Sequence, residues 1–204
     1  MRIGVDLDNT IVCYDGLFHR VALERSWIPQ DLATDKQSVR DHLHAAGRHD
    51  DWTILQGMVY GQEMIHAEPF SGANKFFAEA IRQGCHVHVV SHRTRKPYLG
   101  AETDLHEAAR DWLAKHQFVG AASASLPAEE VFLEESLQGK LGRIRQLECD
   151  VFIDDLPELL LHDDFPGNVR GVCFDPRGKC GDENVERVDC WSTLAEWLLN
   201  GKER

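Results

Sequence analysis

The sequence predicts an α/β fold, a mainly parallel sheet covered on both faces by helices, with a small helical insertion near its start. Three observations predict it. Short apolar runs alternate with helical periodicity, most of those runs end at polar residues, and an unusually long helical stretch separates the first run from the second.

The run at residues 2–7 opens the chain and reads as a buried strand. Residues 13–69 follow, where a simple crossover between parallel strands needs only about a dozen residues. Helical signals at 17–24, 37–44 and 52–65 are separated there by Pro29 and the polar segment 47–51, so the stretch reads as a small cap. Beyond it come a helix at 73–83, a strand at 86–90, a helix at 105–116, a strand at 131–133 and a helix at 137–147. A strand at 151–153, a short helix at 156–161, a strand at 169–174 and a helix at 193–199 complete the pattern. The expected organisation is a core from residues 1–12 and 70–204, with the cap at 13–69.

The chain has 204 residues, enough for one substantial core. Acidic residues outnumber basic ones 34 to 22, for a formal net charge of −12, which disfavours polymeric nucleic acid and anionic membranes as partners. No apolar run approaches the roughly 20 residues of a membrane span, and the start lacks the features of a signal peptide. The six cysteines form no C-x-x-C pair and read as reduced thiols, so the expected setting is the cytoplasm.

In parallel α/β sheets ligands bind beyond the carboxyl ends of the strands. The residues there are Asp6 and Asp8, Ser91, Glu134 and Glu135, and Asp154 and Asp155. Strand alternation puts the carboxylates of Asp6 and Asp8 on one side, and two carboxylates so close call for a cation. Asp154 and Asp155 add hard oxygen ligands of the kind Mg²⁺ takes. D-x-D-x-T also opens like a calcium loop, but the sixth place holds Ile11 and the twelfth Leu17, which excludes that reading. Asp155 could also cap a helix whose first turn holds Pro157 and Glu158, a role compatible with metal binding.

Taken together, these residues resemble the haloacid dehalogenase superfamily of phosphohydrolases. Its four signatures occur in order: DLDNT at residues 6–10, Ser91 after VHVV, Lys140 near a helix start, and Asp154-Asp155 after VFI. Lys140 stands fourteen positions before Asp154, closer than in many members. The resemblance implies a Rossmann-like core and Mg²⁺ held by Asp6, the Asp8 carbonyl and Asp154, supported by Asp155. It implies an aspartyl-phosphate formed on Asp6, proton transfer by Asp8, and contacts to the phosphoryl group from Ser91 and Lys140. Thr10 is expected to brace the turn or to touch substrate. Dehalogenases of the family lack the second aspartate, so Asp8 implies phosphate esters.

The expected partner is a small phosphorylated metabolite. The compact insertion resembles the 5′-nucleotidase and deoxyribonucleotidase branch, with a sugar phosphate the competing substrate. Phosphotransfer to another acceptor, or an idle binding protein on the same fold, are the alternative functions. Arg40, His42, His44, Arg48, His49, Trp52 and Tyr60 are the cap residues that could meet a substrate. The run His92-Arg93-Thr94-Arg95-Lys96 puts positive charge beside the cleft, although a solvated loop is its default reading.

Overall fold

A computed structural model describes residues 1–181 and 184–201. The chain divides into two compact units, one of Met1–Val12, Pro69–Arg93 and His116–Arg204, the other of Cys13–Glu68 and Thr94–Lys115.

The first unit is built on six strands, β1 (Arg2–Val5), β4 (His86–His92), β5 (Val131–Glu134), β6 (Val151–Asp154), β7 (Arg170–Phe174) and β8 (Glu186–Val188). Short β2 (Val12–Cys13) and β3 (Glu68–Pro69) pair separately where the chain leaves and re-enters this unit. The six strands lie in the order β5-β4-β1-β6-β7-β8, and every pairing is parallel. Five consecutive buried residues in β4, Val87 to Ser91, require both faces of the sheet to be covered. Helices α4 (Ala73–Arg82), α6 (Leu137–Gln146), α7 (Pro157–Leu160) and α8 (Trp191–Leu198) provide that cover. Trp191 closes an aromatic cluster with Phe76, Phe77 and Phe174, at ring separations of 5.1, 5.9 and 5.4 Å.

This order puts β4, β1 and β6 side by side, so Ser91, Asp6 and Asp154 end neighbouring strands. Pairing continues past β1, because the Asp6 amide donates to the Ile153 carbonyl at 2.8 Å. The Glu134 set stands apart at the sheet edge, where Glu134 accepts from Arg143 at 2.8 Å.

The second unit contains α1 (Leu17–Glu24), α2 (Lys36–Ala45), α3 (His49–Tyr60) and α5 (Leu105–Lys115). The expected cap ended at residue 69, yet residues 94–115 pack with it. The reason lies in α5, which buries Leu105, Ala109, Trp112 and Leu113 along one stripe, while the Trp112 indole donates to the Ala67 carbonyl at 2.8 Å. Gly57 in α3 serves the same packing, since a β-carbon there would stand 2.8 Å from that of Pro97. Among the described residues no helix is long and apolar enough to cross a membrane.

Candidate active site

The turn after β1 forms because Asn9 adopts a left-handed conformation, φ 61°, which asparagine tolerates better than most residues. The Leu7 carbonyl then accepts from both Ile11 and Val12, at 3.0 and 2.9 Å. These main-chain bonds hold the turn. Thr10, expected to brace it, is fully buried, and its hydroxyl makes no hydrogen bond to the described residues. Burying an unpaired hydroxyl costs about 1–3 kcal/mol, so Thr10→Val should leave the thermal midpoint unchanged or raise it by a few degrees. A fall of more than about 5 °C in a melting experiment would restore the bracing role.

Lys140 lies in the second turn of α6, whose start is fixed by Ser136, its hydroxyl accepting from the Gly139 amide at 3.0 Å. Gly139 lets this turn come close to β5, because a β-carbon there would lie 3.1 Å from both Glu134 Oε2 and Ser136 Oγ. The Lys140 side chain is 2% exposed, and its ammonium donates to Asp6 Oδ1 and to Asp154 Oδ2, each at 2.6 Å. It also lies 5.5 Å from the Phe152 ring.

Burial pushes the Asp6 carboxyl up to about 7, with Lys140 opposing and Asp154 and Asp8 reinforcing the rise. Burial alone would lower Lys140, but the Asp154 and Asp6 carboxylates hold it above the ordinary amine range. Asp6, Asp154 and Asp155 each offer a carboxylate oxygen within 4.8 Å of the others. Three hard oxygen donors this close, with one carboxyl raised by burial and then by its like-charged neighbours, fit a divalent cation.

Asp155 does not cap α7 as one reading had it. Leu156 occupies the cap position, and the bend after β6 is held by Asp154 Oδ1, which accepts from the Leu156 amide at 3.0 Å. With only four residues, α7 is too short to depend on a side-chain cap.

The sequence reading, with a solvated loop as the default for residues 92–96, gives no separate role to Arg93. His92, Arg95 and Lys96 are indeed exposed, but Arg93 is 5% exposed and its guanidinium pairs with Asp8 Oδ1. The Ser91 hydroxyl reaches the other oxygen, Asp8 Oδ2, at 3.5 Å. The missing signal was strand alternation again, since positions 91 and 93 share a side just as 6 and 8 do.

Several cap candidates have partners within the helical unit. Trp52 is buried and stacks on Phe18 at 5.2 Å. Arg48 is held by Asp51 at 2.6 Å and by the Trp27 carbonyl at 3.1 Å. Tyr60 accepts from Lys36 at 2.7 Å.

No family model and no curated protein sequence matches this chain. Solved structures do match it along nearly its whole length. The putative HAD-hydrolase YfnB of Bacillus subtilis, bound to magnesium, aligns with a TM-score of 0.60 at 13% identity, covering 97% of this chain and 98% of that one. A predicted phosphatase from Clostridium acetobutylicum gives 0.60 at 13% identity and 98% coverage of both chains. A HAD family hydrolase from Deinococcus radiodurans R1, with bound phosphate and sodium, gives 0.59 at 14% identity, covering 98% and 95%. The fold of this chain is therefore the one these hydrolases share.

Proposed function

We propose that this chain, built on the haloacid dehalogenase fold, is a magnesium-dependent phosphatase acting on a small phosphomonoester. One observation carries the reading. A single buried ammonium joins Asp6 to Asp154, while a second carboxylate, Asp8, stands two residues on with partners of its own. A dehalogenase needs only the first carboxylate, because a halide leaves without a proton. The second has work to do only where an alkoxide must be protonated as it departs.

In this reading an Asp6 oxygen attacks phosphorus, and the bond to the leaving oxygen breaks as Asp8 gives that oxygen its proton. The product held on the enzyme is an aspartyl-phosphate. Asp8, now a carboxylate, takes a proton from water as the water oxygen attacks phosphorus, and inorganic phosphate leaves with Asp6 restored. Ser91 and Lys140 face the oxygens that carry negative charge during both steps, where fixed donors count most. Asp6, Asp154 and Asp155, with the Asp8 carbonyl, would hold Mg²⁺, which when bound offsets the charge of the phosphoryl oxygens in a carboxylate-rich site.

The raised Asp6 carboxyl gives this reading a pH signature, because a ligand must lose its proton to bind a cation. Mg²⁺ affinity should rise up to about tenfold per pH unit below 7 and level off above it. Calorimetry at pH 6 in two buffers of different ionisation enthalpy should show close to one proton released per ion. A pH-independent affinity would remove Asp6 from the ligand set.

The test of function is phosphate release from nucleoside monophosphates and sugar phosphates, with Mg²⁺ and with chelator, repeated with added alcohol acceptors. Metal-dependent release to water supports the reading, transfer to an acceptor would replace it with phosphotransfer, and no release across the panel would sink both. The buried position of Trp52 withdraws one of the cap aromatics that could have stacked a base.

A further inference from the structure

Among the described residues Arg93 is the one buried arginine, and no part of the reaction described above uses it. It follows directly on β4, and its amide donates to the Glu134 carbonyl at 2.8 Å, so its backbone is fixed by the sheet edge. Its side chain is 3% exposed, whereas that of Asp8 is 21% exposed. Arginine stays protonated at any working pH, and a buried guanidinium is stable only against an anion. Asp8 provides one, and the more accessible side chain is thereby held by the less accessible one.

We propose that Arg93 is the positioning residue for Asp8. This rests on the phosphatase reading, and it assigns the two Asp8 oxygens different tasks. Oδ1 is engaged by the guanidinium, which fixes the orientation of the carboxylate. Oδ2, 3.5 Å from the Ser91 hydroxyl, is the oxygen that delivers the proton to the leaving group and later collects one from water. A carboxylate free to rotate would spend most of its time with neither oxygen in line, and misplacement of a reacting group by about 1 Å can cost a hundredfold. The site thus uses two cations for two tasks, Lys140 for the attacking carboxylate and Arg93 for the proton-carrying one.

The consequence is selective for the leaving group. The alkoxide of an alkyl phosphate is a poor leaving group without a proton, whereas 4-nitrophenolate leaves readily without one. In Arg93→Ala, kcat/KM should fall about 10²- to 10³-fold for an alkyl phosphate, within the range of a general-acid contribution, and less than about fivefold for 4-nitrophenyl phosphate. Guanidinium ion added to the variant should recover at least tenfold of the alkyl activity. Adding Arg93→Ala to Asp8→Ala should cost nothing further, because the two act as a unit. Inhibition by inorganic phosphate should stay within about threefold of wild type.

If Arg93→Ala does not fold, Arg93→Lys carries the same comparison, because lysine keeps the charge without the planar fork. Equal loss for both leaving groups, or additive loss in the double variant, would overturn the inference and leave the phosphatase reading standing. Weakened inhibition by phosphate would reassign Arg93 to the substrate and also overturn it. A wild-type chain that releases phosphate from neither ester would overturn the phosphatase reading, and this inference with it.

Discussion

Asp6→Asn is expected to reduce phosphate release by about a thousandfold or more while the protein stays folded, because it removes the proposed nucleophile and almost no volume. The folded state should tolerate the change for a reason visible in the charges. Lys140 keeps Asp154 as a partner at 2.6 Å, so no buried ammonium is left alone. The amide oxygen can still accept from Lys140, and the desolvation that pushes the Asp6 carboxyl up to about 7 disappears. Thermal melting in chelator at pH 8 should therefore place the variant within a few degrees of wild type or above it. Turnover surviving within tenfold on freshly purified protein would mean that Asp6 is not the nucleophile.

The sheet was legible because parallel strands buried on both faces leave short continuous apolar runs. Residues 86–90, 131–133 and 151–153 lie inside β4, β5 and β6. Strand order was not legible, since no local pattern states which strand lies beside which. The convergence of Ser91, Asp6 and Asp154 therefore had to be hypothesised from the rule about strand ends. β8 escaped notice because three residues, Glu186–Val188, are too few to show a period. The expected helix at 52–65 begins earlier and ends at Tyr60, with a tight turn at Met64–His66 taking up the remainder.

Of the site, the carboxylates and Lys140 were legible from type and position, but their pairing was not. Composition marks arginine and lysine as surface residues, and only tertiary contacts reveal that Lys140 and Arg93 are buried against aspartates. The departure of residues 94–115 from the α/β unit has a similar origin. The helical period of α5 says that one stripe is buried, without saying which unit buries it.

Lys140→Met should show how much of the unit's stability rests on that buried ammonium. Methionine keeps an apolar stem of similar length beside Phe152 but leaves the Asp6 and Asp154 carboxylates facing each other without a cation. Breaking a buried ion pair by removing one partner costs about 3–5 kcal/mol, and at about 2–4 °C per kcal/mol for a chain of this size the melting midpoint should drop by roughly 10 °C at pH 8. The pH dependence follows from Asp6. Its folded pKa is raised from 3.8 to about 7 even with Lys140 present, and removing the ammonium raises it further. A raised folded pKa stabilises fully below the unfolded value and loses that contribution as pH climbs through the folded one. The deficit of the variant should therefore be small near pH 5, where Asp6 carries a proton, and largest above pH 7. Mg²⁺ at pH 8 should stabilise the variant more than the wild type, because a divalent ion supplies the charge the lysine no longer does. A deficit equal at pH 5 and pH 8, and indifferent to Mg²⁺, would mean that Lys140 stabilises the fold by packing its stem and not by pairing the two aspartates.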